Sequence, residues 1–340
     1  MADVSRKHHT VPQFYLKGFA TGSRQIGTVQ LPGTKRFVQS TNKASAHTDF
    51  YAVPGHEEGP DAFEKGLSRM EGEAARVIRR ITEEHVWPLS PEDRELLAAF
   101  LTVQFLRGPE QRRHMEEMSA LVTRMEIGYG GKANVAAWVK RKHGLSVSEE
   151  QAARIWDEAT QPGGPPIRLA PIGHINQMLQ LTPKLVRYFL FRPWILYRFS
   201  ARSLLTCDTP VSLIPHVNSQ MGHADAMEEG VGLMTAWGIT FPLTRKIGLL
   251  LGNPEEFFGN VDAEEVATGR FDMTQAPSAA AANLFNDAAI DNARQWIFHH
   301  PNDAHLVPDD LPHPRDKEIE VMGGPEEFTG EPLFASEQHE

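Results

Sequence analysis

One cysteine, Cys207, stands in 340 residues. A single thiol cannot close a disulfide within the chain, which excludes a disulfide-built scaffold and fits a reducing compartment. Nor is there a run of about 18 apolar residues, the length a membrane-spanning helix needs. No apolar stretch follows the opening Met1-Ala2-Asp3-Val4-Ser5-Arg6, so no secretory signal is expected and the expected location is the cytoplasm. A basic excess is missing as well. Lys and Arg number 34 against 44 Asp and Glu, for a net charge of -10. From Pro301 to Glu340 eleven acids face only Arg315 and Lys317, so this tail carries -9 and the rest about -1. A body so near neutrality argues against a broad nucleic-acid-binding surface. The acidic tail is a candidate contact for a protein partner.

Several catalytic signatures are also absent. There is no phosphate loop, no Gly-x-Gly-x-x-Gly after a strand, no His-Glu-x-x-His and no Gly-x-Ser-x-Gly elbow. Nothing supports a nucleotide cofactor, no metal ligand set is assigned, and the cofactor question stays open. Cys207 lies in an apolar strand and reads as an inert thiol.

What is present is an ordinary globular composition, 41% hydrophobic and 23% charged, with room for a sizeable core. The most distinctive stretch is the first. Lys7-His8-His9-Thr10-Val11-Pro12-Gln13-Phe14-Tyr15-Leu16-Lys17-Gly18-Phe19 packs five large apolar residues into nine positions. Termini are usually polar and loosely held. This one must dock, carrying His8 and His9 into the body. A short helix is expected from Pro12 to about Phe19.

Residues 25–31 and 36–39 flank Pro32-Gly33 and read as a hairpin, and Asp49–Val53 as a third strand. Long helices are expected over 61–84 and from Ser90 to about Gly108, the second with Ser90 as cap, Pro91 and acids in its first turn. The segment 110–161 is polar and helical, with a capping box at Ser148–Gln151. Pro162–Pro166 is the strongest internal break. A helix follows over 172–191, kinked at Pro183. Strands are then expected over 194–199, 204–207, 211–214, 238–243 and 246–251, a mobile loop over 217–229, and a last helix over 278–298. The expectation is one α+β domain over 1–300, with a mixed or antiparallel sheet drawing strands from both halves. It packs against a large central helical region, including a more variable helical segment at about 110–165. A flexible Pro-containing tail spans 301–340.

His9-Thr10-Val11-Pro12-Gln13-Phe14-Tyr15-Leu16-Lys17-Gly18-Phe19 resembles the N-terminal signature of an uncharacterised microbial family, domain of unknown function 4238. That signature runs His-aromatic-Val-Pro-x-x-Tyr-Leu-x-x-Phe; Thr10 stands where the family often has an aromatic. Phe50-Tyr51, Glu64 and Glu71, Gln104 and Arg107, Cys207-Asp208-Thr209-Pro210-Val211, and Asn286 with Trp296 fit in the expected order. The resemblance spans roughly Lys7 to His300 and implies no activity.

The candidate residues follow from polar groups on apolar faces. Glu71 lies on the stripe of Leu67, Ala74 and Ile78, with Glu64 two turns earlier. A carboxylate facing a core is paired, metal-bound or protonated. Glu71 is therefore a structural ion pair or a general base or ligand. Gln104 and Arg107 share a face one turn apart. Arg107 either bonds carbonyls at its helix end, clamps a carboxylate or phosphate, or pairs with Glu71. Asp208 ends an apolar strand, as a catalytic carboxylate or a turn former. Asn286, on the stripe of the last helix, either ties backbone or touches substrate.

His8 and His9 suit acid/base work. They also resemble the entry strand of His-Asn-His nucleases, but only Asn42 and His47 stand near as further ligands. His299 and His300 are expected to complement the charge at the last helix end. Two readings result. In the first the chain is a hydrolase-type enzyme, with His9, Glu71 and Asp208 catalytic and His8, Gln13, Glu64, Gln104, Arg107 and Asn286 holding substrate. In the second the same residues form a buried polar network of a non-catalytic binding or interaction protein.

Overall fold

The computed structural model describes residues 6–216, 231–255, 261–314 and 327–333. The expected mobile loop at 217–229 lies outside them, as do residues 315–326 and 334–340 of the expected flexible tail. The chain divides into two compact units.

The larger unit takes residues up to 108 and from 171 to 314. It opens with β1 (Lys7–His9), α1 (Gln13–Leu16), β2 (Gln25–Gln30), β3 (Lys35–Ser40) and β4 (Ala46–Thr48). Helices α2 (Ala62–Thr82) and α3 (Pro91–Leu106) follow. Their apolar periodicity is the cause: Leu67, Ala74, Val77, Ile78 and Ile81 form the buried stripe of α2. The Ser90 hydroxyl accepts from the Asp93 N–H at 3.3 Å and starts α3.

The unit resumes with α7 (Pro171–Leu185), α8 (Arg187–Leu190), β5 (Trp194–Arg198), β6 (Thr206–Cys207) and β7 (Ser212–Ile214). After these come β8 (Gly238–Thr244), β9 (Ile247–Gly252), α9 (Ala263–Ala267), β10 (Met273–Gln275), α10 (Ala279–Asn292) and β11 (Trp296–His299).

The fold is α+β. One sheet has the order β10-β5-β9-β8-β7, mixed because β10 runs parallel to β5. The other, β3-β2-β11-β6, is antiparallel and joins strands from both halves of the chain, as the sequence implies. Strands β1 and β4 pair separately, with His8 opposite His47. The largest core cluster lies among α1, α2, α3, α10 and the five-stranded sheet. Val11, Leu16 and Phe19 are fully buried there and Tyr15 nearly so, so the N-terminus docks. Each such side chain contributes about 1.5–3 kcal/mol through burial. The Tyr15 ring stacks on Phe241 at 4.9 Å, and its hydroxyl is 2.7 Å from that of Thr206.

The smaller unit comprises α4 (Pro109–Gly130), α5 (Val135–His143), α6 (Glu149–Ala159) and, after 314, the described residues 327–333. The Ser148–Gln151 capping box is formed. Ile127, Val135, Val139, Trp156 and Phe328 make its core. Among the described residues, no helix is long and apolar enough to cross a membrane.

His8 and His9 lie in β1. Two expectations need correction. The strand expected at 49–53 lies at 46–48 instead, because Asp49 adopts φ 54° and turns the chain. The last helix stops at Asn292, and Trp296–His299 forms β11. There Ala293 is extended, and the Asp208 carboxylate takes up the next three backbone N–H groups. His299 and His300 therefore do not cap a helix C-terminus.

Candidate functional site

Helix α3 presents Gln104 and Arg107 to the docked N-terminus. The Gln104 amide donates to the Thr10 carbonyl at 3.0 Å. Arg107 Nη2 donates to the His9 carbonyl at 2.5 Å, and Nη1 to Glu71 Oε1 at 2.7 Å. Arg107 is fully buried, whereas the Glu71 side chain is 20% exposed. Helix α2 supplies Glu71 and, two turns earlier, half-buried Glu64.

Tyr51 closes the far side. Its hydroxyl donates to the Arg107 carbonyl at 2.7 Å and its N–H to His8 Nδ1 at 2.8 Å. Because Nδ1 accepts, the His8 ring hydrogen is on Nε2. His9 has the same tautomer for the opposite reason: its Nε2 lies 3.2 Å from the Asn42 carbonyl, which can only accept. Nδ1 of His9 is thus left as the basic atom. His174 Nε2 donates to the Leu106 carbonyl at 3.0 Å, beside Tyr51.

Electrostatics sort these groups. Burial pushes the Glu64 carboxyl up and the Glu71 charge adds to this, against the pull of Arg107, His8 and the His9 N–H. Burial lowers the His9 imidazole, as do Lys7, Arg107 and His47, against the Asn42 carbonyl. Burial opposes the Arg107 charge, but Tyr51 and Glu71 outweigh it and the pKa moves up. Among the buried side-chain atoms with no hydrogen-bond partner from the described residues, three lie in this cluster: Glu64 Oε2, Gln104 Oε1 and Arg107 Nε. All belong to side chains that bind, or sit against, the His9-Thr10 backbone. Buried polar atoms are rarely left unpaired, so three beside one dipeptide single out this cluster.

The structure thus brings together His8, His9, Glu64, Glu71, Gln104 and Arg107. Gln13 stands at the edge, its amide 3.4 Å from the Asn42 side chain. Asp208 and Asn286 are engaged elsewhere. Asp208 accepts from the N–H groups of Arg294, Gln295 and Trp296 at 2.8–3.1 Å, and burial moves its pKa up to about 6. Asn286 accepts from the Leu205 N–H at 2.8 Å and donates to the Ser203 carbonyl at 3.2 Å, fastening α10 to the chain before β6. Tyr51 and His174 are not among the candidate site residues of the sequence. Tyr51 enters there only in the Phe50-Tyr51 pair of the family resemblance, and the available signal for His174 is a helical face shared with Met178. Among the described residues, no three His, Cys, Asp or Glu side chains are grouped so as to hold a metal ion.

No curated protein and no solved structure matches the chain. A family model does, over residues 7–303, the span that holds every residue of the site. The chain belongs to the family of proteins of unknown function designated DUF4238.

Proposed function

We propose that the chain is a hydrolase-type enzyme whose acid/base chemistry is done at the docked N-terminus. The observation that carries this reading is that the three side chains gathered at the His9-Thr10 backbone, Glu64, Gln104 and Arg107, each keep one buried atom without a partner among the described residues. In it Glu64, whose pKa burial raises, acts as general acid. His9, whose pKa burial lowers and whose Nε2 is engaged by the Asn42 carbonyl, accepts a proton from water at Nδ1. Arg107 Nε donates to a substrate oxygen, Gln104 Oε1 accepts from a substrate N–H or O–H, and Glu71 balances the Arg107 charge. The test is a panel of chromogenic esters, phosphodiesters and glycosides, with Glu64→Gln and His9→Gln assayed beside the wild type. Turnover lost in both variants with unchanged thermal unfolding supports the reading; no turnover of any member sinks it.

The second reading rests on the same bonds. Arg107 and Gln104 hold backbone carbonyls of the N-terminus, as a structural clasp would. In that case His9→Gln and Glu64→Gln lower the unfolding midpoint without any activity to lose, and the acidic tail is the contact for a protein partner.

A further inference from the structure

A concavity lies between α2, α3 and α7. Its volume is about 470 Å³, inside the range of roughly 300–1,000 Å³ typical of small-molecule sites. Phe63, Leu67 and Met70 of α2 face Val103, Ile175 and Met178 across it. Leu67, Ile175 and Met178 are core residues, so these walls are fixed.

Two features show that packing alone does not account for it. Gly66 forms part of the wall, and a Cβ there would meet no atom within 4 Å. Glycine inside a helix costs about 1 kcal/mol relative to alanine, and no neighbour requires it here. Leu179, also in the lining, is 61% exposed.

The polar rim is one-sided. His56, Glu58, Asn176 and Thr182 supply it, and no Lys or Arg lines the cavity. The Thr182 hydroxyl is already spent on the Met178 carbonyl at 2.7 Å. Glu58 forms no ion pair with a described residue, leaving a carboxylate at an apolar mouth. We infer that this cavity binds a small apolar molecule with a cationic end, an alkyl or aryl amine. The apolar body fills the space between Phe63 and Met178, and the ammonium meets Glu58. Polarisable Met70 and Met178 accommodate irregular shapes.

The test is calorimetric titration of the full chain at pH 7.5 with decylamine, decanol and decanoate, which share a chain length and differ in head charge. We expect saturable binding of one decylamine per chain, about fivefold tighter than decanol, with decanoate weakest. Glu58→Gln removes the preference for amine over alcohol. Gly66→Phe fills the space and abolishes binding of all three. Leu179→Lys changes only an exposed side chain, so it keeps the test valid should Gly66→Phe not fold; it weakens decylamine and strengthens decanoate. Absence of saturable binding to wild type, equal affinity for amine and carboxylate, or unchanged affinities in Leu179→Lys would overturn the inference. None of these readouts involves hydrolysis, so the outcome is independent of the acid/base site.

Discussion

Arg107 Nη1 lies 2.7 Å from Glu71 Oε1, while the same guanidinium holds the carbonyl of His9. One fully buried cation thus joins α2, α3 and the N-terminal strand. Its charge has been removed from water and is compensated by one carboxylate, so the two residues must be considered together.

Removing the carboxylate leaves that charge buried without its ion-pair partner. Glu71→Ala is expected to destabilise the protein by about 3 kcal/mol or more, and Glu71→Gln by less, since the amide oxygen still accepts. Urea unfolding of the three proteins checks the order.

A second pair is sealed completely. Arg94 Nε lies 2.8 Å from Asp272 Oδ2, both side chains at 0% exposure. Arg94 also donates to the carbonyls of Leu190, Ala267 and Arg192, and Asp272 accepts the Trp194 N–H. Asp272→Ala is expected to cost about 3–5 kcal/mol. A double-mutant cycle with Arg94→Met should show strong coupling, because the second substitution removes the stranded charge.

Gly27 faces His299 across β2 and β11, and a Cβ there would overlap the imidazole. Gly27→Ala is expected to destabilise by about 1–3 kcal/mol through overpacking. Adding His299→Ala should recover part of that loss, read as the shift in thermal midpoint.

Burial lowers the folded-state pKa of both His9 and His299 below the ordinary 6.5. The unfolded chain then binds more protons at mildly acidic pH, so their stabilising contribution is present above about pH 6.5 and is lost as pH falls through the folded values. Urea midpoints should drop between pH 7.5 and 6, and the slope should flatten in His9→Gln. Asp208, raised to about 6, works in the opposite sense: its contribution is present below about 3.8 and lost as pH rises toward 6.

Asp208→Ala strips acceptors from three N–H groups after α10. A loss of about 2–3 kcal/mol is expected, without any effect on binding of amines to the α2–α7 cavity. Far-ultraviolet circular dichroism and calorimetry check the two halves.

Much of this was legible in the sequence because it rests on local chemistry. Ser90-Pro91-Glu92-Asp93 announces a helix start by itself, and the α2 stripe repeats at a helical period. The same stripe exposes Glu71 as a polar residue on a buried face, and one-turn spacing joins Gln104 to Arg107. What the sequence did not carry was partner choice. Trp296-Ile297-Phe298 continues an apolar helical stripe as readily as it forms a strand, and the decision rests with Asp208, 88 residues earlier in the chain. The same carboxylate looked catalytic for the reason that it proved useful to the backbone: it sits at a fixed strand end. Tyr51 reads locally as a strand residue, since nothing near it in sequence says that its hydroxyl meets the end of α3.

The four-stranded sheet sets a timetable for biosynthesis. The β2–β3 hairpin is complete at Ser40, but β2 pairs on its other side with β11, which begins at Trp296. At roughly 5–20 residues per second, the ribosome delivers that strand on the order of 10–50 s later. Throughout that interval one edge of β2 is an open template for other nascent chains. Shielding it falls to whatever binds the chain at the exit tunnel, and translation speed over the second half of the message sets how long the exposure lasts.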